Sequence, residues 1–561
     1  MRGVRAWAGV VGVLFTGCAA SQPVAQQAAR PNVLILIADD LGFGDIGAYG
    51  AEVATPNIDR LAAEGVQLTN FHTAATCSPS RAMLLTGVDN HRNGLGSMGE
   101  FLTPNQVGAP GYEGFLNDRV FTLAEWVASA GYHSVFSGKW HLGMQPTQWP
   151  SARGFARSFA LLDGSADNWS DVGPAPILPV ATFTRNGERI ERPTGFSSAL
   201  FVDELLAGLD AKPRAAQPFL AVLSFQAVHW PHHAPQDLLD KYAHRYDVGW
   251  DVVRAARHAR LRERGLLPAD APERPRDPSV PAWDTLSSER RQRESRRMAA
   301  YAAMTEDMDR EIGRVLRHLE ERGSLRDTIV VFVSDNGPDP SEPNLSPRAL
   351  AWYSDRYPRK AADELGGPGS FPSYGPQWAQ LGAVHLRSYK GSPAEGGMRV
   401  PFIVRAPGRI QSGVRSDAFA FATDLVPTLL ELIGVAADPQ AAGRHGVDGV
   451  SMLPVLRGER DRVHEADAVI GYELMVGRAL FQGNHKLVNA SAPSGDGTWK
   501  LFDIARDSSE LEDLRKREPE TFSRLMRHYE RYVADYGVIP MAADFDIFEA
   551  LTSERPKQGE H

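Results

Sequence analysis

The sequence predicts an α/β protein: a large mixed, mostly parallel sheet sandwiched by helices, followed by a small C-terminal antiparallel sheet with one helix. Three observations predict it. Short continuous apolar runs recur through the first 440 residues, helix-like stretches separate them, and beyond about residue 440 the texture changes to short strands divided by Gly and Asn turns.

The chain begins with what reads as an export signal. Arg2 and Arg5 supply a positive end, and Trp7 to Phe15 an apolar stretch too short to span a bilayer. Leu14-Phe15-Thr16-Gly17-Cys18 is a lipobox-like junction. Residues 1–17 are expected to be a signal peptide, Cys18 a site of lipidation, and 18–30, which lack periodicity, a tether. The alternative is an ordinary secretory peptide cleaved nearby, with Cys18 discarded. Either way the expected location is the bacterial periplasm or cell envelope, with the membrane engaged only through a lipid anchor.

A larger domain is expected over 31–440. Val33-Leu34-Ile35-Leu36-Ile37 suits a strand buried on both faces, and Ser134-Val135-Phe136, Phe219 to Phe225 and Ile329 to Val333 repeat the pattern. Thr55 to Ala62 and Leu123 to Ala130, the latter stopped by Gly131, read as helices. Asp251 to Arg297, rich in Arg and Glu, reads as exposed helices with a solvated charged face. Pro338 to Arg387 is long and rich in Pro, Gly and aromatics, which suggests a loop shaping a pocket, with surface packing as the alternative. A smaller α+β domain is expected over 441–561, with strands at Asp467 to Tyr472, Val476 to Gln482, His485 to Val488 and Trp499 to Asp503, and a helix from Pro519 to Tyr536.

At 561 residues, 43% apolar and 23% charged, the chain is neither disordered nor fibrous. Its net charge of −9 and lack of a long basic run give nucleic-acid binding no electrostatic support.

Polar motifs sit just beyond the predicted strands. Asp39-Asp40 follows the first, Lys139 and His141 the second, His229 the third and Asp335-Asn336 the fourth. Open α/β sheets bind ligands at that edge. Asp39, Asp40, Asp335 and Asn336 offer only hard oxygen donors, which select Ca2+ or Mg2+ over zinc. Pro79 fits the first turn of a helix continued by Arg81, Met83, Leu84 and Leu85, placing Cys77 at its N-terminus, where unpaired N–H groups favour an anion.

Cys77-Ser78-Pro79-Ser80-Arg81 has the C-x-P-x-R pattern read by formylglycine-generating systems. With Ala38-Asp39-Asp40-Leu41-Gly42, Gly138-Lys139-Trp140-His141, Ser334-Asp335-Asn336-Gly337, Tyr389-Lys390-Gly391 and Gly396-Gly397-Met398-Arg399-Val400-Pro401, it resembles the type I sulfatase family, bacterial arylsulfatases above all, from residue 31 to about 540. The resemblance implies a catalytic domain over 31–440 that hydrolyses sulfate monoesters, aryl sulfates foremost. It implies that Cys77 becomes formylglycine through a maturation enzyme, and that Asp39, Asp40, Cys77, Asp335 and Asn336 hold one Ca2+, with Mg2+ as the alternative. Arg81 would steady the nucleophile, and Lys139 and Lys390 would contact sulfate. His229 would bind substrate and protonate the leaving group, with His232 and His233 as competitors, and His141 would assist breakdown of the sulfated intermediate. His72 has only a buried hydrogen-bonding reading. With Cys18 acylated or lost and Cys77 converted, no disulfide is expected. The competing readings are a phosphonate or phosphate ester hydrolase of the same superfamily and a non-catalytic sulfated-ligand binding protein.

Overall fold

A computed structural model of the protein describes residues 30–541, apart from 213, 215–216, 344–346, 348, 438–442 and 493, together with 3–4 and 6–9. Cys18 and the lipobox-like junction lie outside the described residues.

The Asn32–Ala38 strand runs through the middle of the sheet, parallel to Thr328–Ser334 on one side and Phe219–Ser224 on the other. His133–Lys139 and Arg157–Leu161 extend the parallel set beyond Phe219–Ser224. On the opposite flank Arg399–Arg405 runs antiparallel between Thr328–Ser334 and Val66–His72. The sheet is therefore mixed and mostly parallel. Its central strand shows why the apolar run is continuous: Leu34, Leu36 and Ala38 face one core with the Ser288–Glu321 helix, while Val33, Ile35 and Ile37 face another with the Cys77–Thr86 and Leu425–Ile433 helices.

The last strands, Val469–Leu474, Gly477–Gln482, His485–Asn489 and Trp499–Asp503, form an antiparallel meander. One face packs Leu480, Leu487 and Leu501 against Leu525, Tyr529 and Tyr532 of the Pro519–Tyr536 helix. Its other face, through Ala479, Phe481, Val488 and Phe502, joins the core of the large sheet. The small sheet thus shares an interior with the large one.

Two charged or loop-like stretches differ from the sequence reading. Trp250–Glu263 and Ser288–Glu321 are helices, but their charged side chains are not uniformly solvated. Arg257 is fully buried, 2.6 Å from Asp45 and 2.8 Å from Glu52, and Glu294 and Arg296 are buried too. Burial is tolerated because each guanidinium finds acceptors: Arg296 donates to the carbonyls of Leu365 and Leu239. The Pro338–Arg387 stretch contains the helices Leu350–Arg356 and Gly375–Ala383, and its Trp378 packs edge-on against Trp250 in the core. Only part of it borders the site: Phe371, Tyr353 and Trp352 cluster with Trp230.

Candidate functional site

Every functional segment leaves the same edge of the sheet. Asp39 and Asp40 follow Ala38, Asp335 and Asn336 follow Ser334, and Lys139 ends its strand. His229 lies five residues past Ser224, and the turn after His72 leads into the Cys77–Thr86 helix. Because Arg399–Arg405 runs the other way, the segment before it, with Lys390 and Glu395, reaches the same edge. Close approach is needed: Gly138 has φ 117°, and a Cβ there would sit 1.8 Å from the Ser224 carbonyl oxygen. Asp40 and His141 take left-handed φ angles of 62° and 55°, a conformation that Asp and His adopt more readily than most residues.

Cys77 is a free, buried thiol whose Sγ lies 3.3 Å from Asp39 Oδ1 and 3.7 Å from Asp40 Oδ1. Burial, then Asp335, push the thiol well above its usual range against the pull of Lys139 and Lys390, so the unmodified sulfur stays protonated and a poor nucleophile. Asp39, Asp40, Cys77 and Asp335 bring donor atoms within 4.8 Å of one another, all buried. Asn336 joins them. Its Nδ2 donates to Asp40 Oδ1 (2.7 Å) and Gly337 O (2.8 Å), which fixes the amide orientation and leaves Oδ1 buried without a partner. An orphaned amide oxygen beside three carboxylates is the donor set a hard divalent cation takes, so the residues fit such an ion.

Three cations face these acids. Arg81 donates from Nε to Asp335 Oδ2 (2.7 Å) and from Nη1 to Ser224 Oγ (2.5 Å) and Lys139 O (3.1 Å). Lys139 Nζ lies 2.6 Å from Asp39 Oδ2, and Lys390 Nζ 2.8 Å from Asp40. Burial raises Asp39, opposed by Lys139, and raises Asp40 to about 6, opposed by Lys390. Asp335 goes the other way, to about 2, because Arg81, Lys139 and Lys390 together outweigh its burial.

Of the three neighbouring histidines only His229 reaches this cluster. Its Nδ1 donates to Trp230 O (2.6 Å), and Nε2 lies 3.5 Å from Asp40 Oδ2. Burial, then Lys390, hold His229 down at about 4. His232 meets the stacked rings of Tyr301 and Tyr374 edge-on, and His233 bonds Ser370 O at 2.7 Å. His141 Nε2 is 3.0 Å from Glu100 Oε1, and its Nδ1 is buried without a hydrogen-bond partner. His72 is fully buried and bonds Glu395 at 3.0 Å.

Sequence reasoning missed Asp339, Ser224 and Glu100. Asp339 Oδ2 lies 3.3 Å from Lys390 Nζ and accepts from Trp230 Nε1 at 2.9 Å. A carboxylate three residues after Asn336, flanked by Pro338 and Pro340, was the available signal.

A potential nucleophile at a helix start, ringed by four carboxylates and three cations at the C-terminal edge of an α/β sheet, suits a metal-assisted hydrolase. Known proteins narrow the class. The sulfatase family model matches residues 31–435, and the model for the C-terminal part of N-sulphoglucosamine sulphohydrolase matches 392–531. An uncharacterized sulfatase of Schizosaccharomyces pombe is 39% identical, over 92% of this chain and 96% of its own. An arylsulfatase of Klebsiella aerogenes is 34% identical, over 77% and 92%. Among solved structures, Ps i-CgsB in complex with k-i-k-neocarrahexaose has a TM-score of 0.62 at 22% identity, covering 91% of this chain and 94% of that one, a likeness of fold. The chain belongs to the sulfatase family, the type I sulfatases of the alkaline-phosphatase-like superfamily. Its reaction class is the hydrolysis of sulfuric esters.

Proposed function

We propose that the protein hydrolyses sulfate monoesters, aryl sulfates first among them, to a phenol or alcohol and sulfate, with formylglycine made from Cys77 and one Ca2+ held by Asp39, Asp40, Asp335, Asn336 and residue 77. The observation that carries this reading is Cys77 itself, at a helix N-terminus inside a C-x-P-x-R run, buried against the carboxylates. Its resemblance to the Klebsiella aerogenes arylsulfatase supports the aryl preference. The hydrated aldehyde supplies two hydroxyls, one to attack sulfur and one to expel sulfate once the alcohol has left.

The protein's own groups do the rest. Arg81, fixed between Asp335 and Ser224, holds the first turn of the helix against the sheet edge. Lys139 and Lys390 present fixed positive charge to the sulfate oxygens, where charge builds in the transition state. His229 offers Nε2 toward the leaving oxygen, and His141, braced by Glu100, stands by to assist release of sulfate. Four carboxylates, Asp39, Asp40, Asp335 and Asp339, outnumber the cations Arg81, Lys139 and Lys390 by one. A bound divalent cation reverses that sign and so favours a sulfate monoester anion. Mg2+ would do the same with a tighter shell. A formylglycine-generating enzyme is the required maturation partner, and export to a bacterial envelope, by lipid anchor or free, completes the proposal.

Matched nitrophenyl sulfate and nitrophenyl phosphate test the reaction. Sulfate should turn over faster by a wide margin; preferred phosphate turnover would favour the phosphate or phosphonate ester reading, and binding without turnover by protein shown to carry the aldehyde would favour a sulfated-ligand binding protein. Chelation should remove activity and Ca2+ should restore it. Asp335→Ala and the milder Asp335→Asn should each cost roughly a hundredfold or more with the fold retained, since a cation in the site stabilises transition-state charge by several kcal/mol. Stoichiometric zinc on elemental analysis would overturn the metal assignment.

A further inference from the structure

The segment that carries Lys390 is a closed loop. Gly396 N donates to Arg387 O (2.8 Å) at its neck, and at its tip Lys390 N donates to Pro338 O (3.1 Å) and Gly391 N to Ala75 O (2.7 Å). What fixes the neck is not the large sheet alone. Lys486, fully buried on the His485–Asn489 strand of the small sheet, donates to Glu395 Oε1 at 2.8 Å and stands 3.2 Å from Glu510 Oε1. Glu510 Oε2 in turn accepts from Glu395 N (3.1 Å) and Arg387 Nε (3.0 Å), the two ends of the loop. Glu395 also bonds His72 Nε2 at 3.0 Å, at the end of the strand that leads to Cys77. On the same side Tyr472, from the small sheet, accepts from Ala75 N at 3.0 Å.

A buried Lys between two buried carboxylates is expensive to assemble and is weak evidence of stabilisation. Its geometry says where it acts: Lys486 reaches Glu395, Glu510 reaches Glu395 N and Arg387, the two ends of the Lys390 loop, and Tyr472 reaches the approach to Cys77. We propose that Lys486 and Glu510 are positioning residues that set the Lys390 ammonium, and with it the sulfate clamp, relative to residue 77. The C-terminal sheet is thereby part of the active-site frame, although it contributes no side chain to the cluster around Cys77 and Asp335. This rests on the reading of Lys390 as a sulfate contact.

The test is a double-mutant cycle read by inorganic sulfate inhibition and by KM against kcat, on metal-loaded, matured enzyme. Lys390→Ala should weaken sulfate inhibition; if it does not, the clamp reading fails, independently of this inference. Given that it does, Lys486→Met should raise KM and the sulfate inhibition constant about tenfold, the scale of a small misplacement of a binding group, and should add nothing in the Lys390→Ala background. Glu510→Gln, which keeps an acceptor for Glu395 N and Arg387 while removing a charge, serves if Lys486→Met does not fold, and should move the same two constants in the same direction. Lys486→Arg should restore part of the loss. Equal losses in both backgrounds, or a folded Lys486→Met or Glu510→Gln protein with unchanged sulfate affinity, would overturn the proposal.

Discussion

Cys77→Ser protein should retain its fold and lose turnover by on the order of a millionfold, the scale reached when a covalent nucleophile is removed from an enzyme. The side chain lies at a buried helix start, where a serine hydroxyl fits the space of the thiol and can donate to Asp39 as the thiol does. Serine has one hydroxyl. It can take the sulfuryl group from an ester and release the alcohol, but it has no second hydroxyl with which to expel sulfate, so the variant should stop after at most one equivalent of alcohol and retain a sulfate ester at residue 77. Mass spectrometry of the peptide containing residue 77 checks both halves: wild type from a host with maturation machinery should show sulfur lost and an aldehyde gained. Fully active protein that still carries cysteine would sink the mechanism.

The parts of the fold legible in the sequence are those where both faces of a strand are buried. Val33 to Ile37, Phe219 to Leu223 and Ile329 to Val333 announce themselves because every position is apolar. Val66–His72 is just as buried, yet Gln67, Thr69 and Asn70 interrupt its run; the amides of Gln67 and Asn70 donate to the carbonyls of Ala48 and Asp417, partners hundreds of residues away in one case. Arg399–Arg405 was hidden by Pro401, a residue that argues against a central strand, and the ladder indeed shifts register between Val400 and Phe402. The site was legible where it is carried by adjacent pairs, as in Asp39-Asp40 and Asp335-Asn336. Asp339, Ser224, Glu100, Glu395 and Lys486 each matter through partners far along the chain, and a single residue with distant partners leaves no local pattern.

His229→Ala should lose rate in proportion to how badly the leaving group needs a proton. General acid catalysis is typically worth on the order of a hundred to ten thousand fold. A nitrophenolate departs unaided, whereas an alkoxide does not, so the loss should be small with nitrophenyl sulfate and approach the upper figure with alkyl or sugar sulfates that the wild type accepts. The slope of log rate against leaving-group pKa should steepen accordingly. The geometry supports the assignment: the Nδ1 bond to Trp230 O fixes the ring and turns Nε2 toward the carboxylates, 3.5 Å from Asp40. Acting as an acid requires a proton on Nε2, which Asp40 favours and which burial and Lys390 oppose. A bound sulfate ester offsets Lys390 with its own negative charge and so raises the proton affinity of His229 at the moment of use. An unchanged slope would mean that His229 only binds sulfate or packs against Trp230. The acid would then have to be Lys390, because His232, the nearest rival in sequence, is buried edge-on against the stacked rings of Tyr301 and Tyr374.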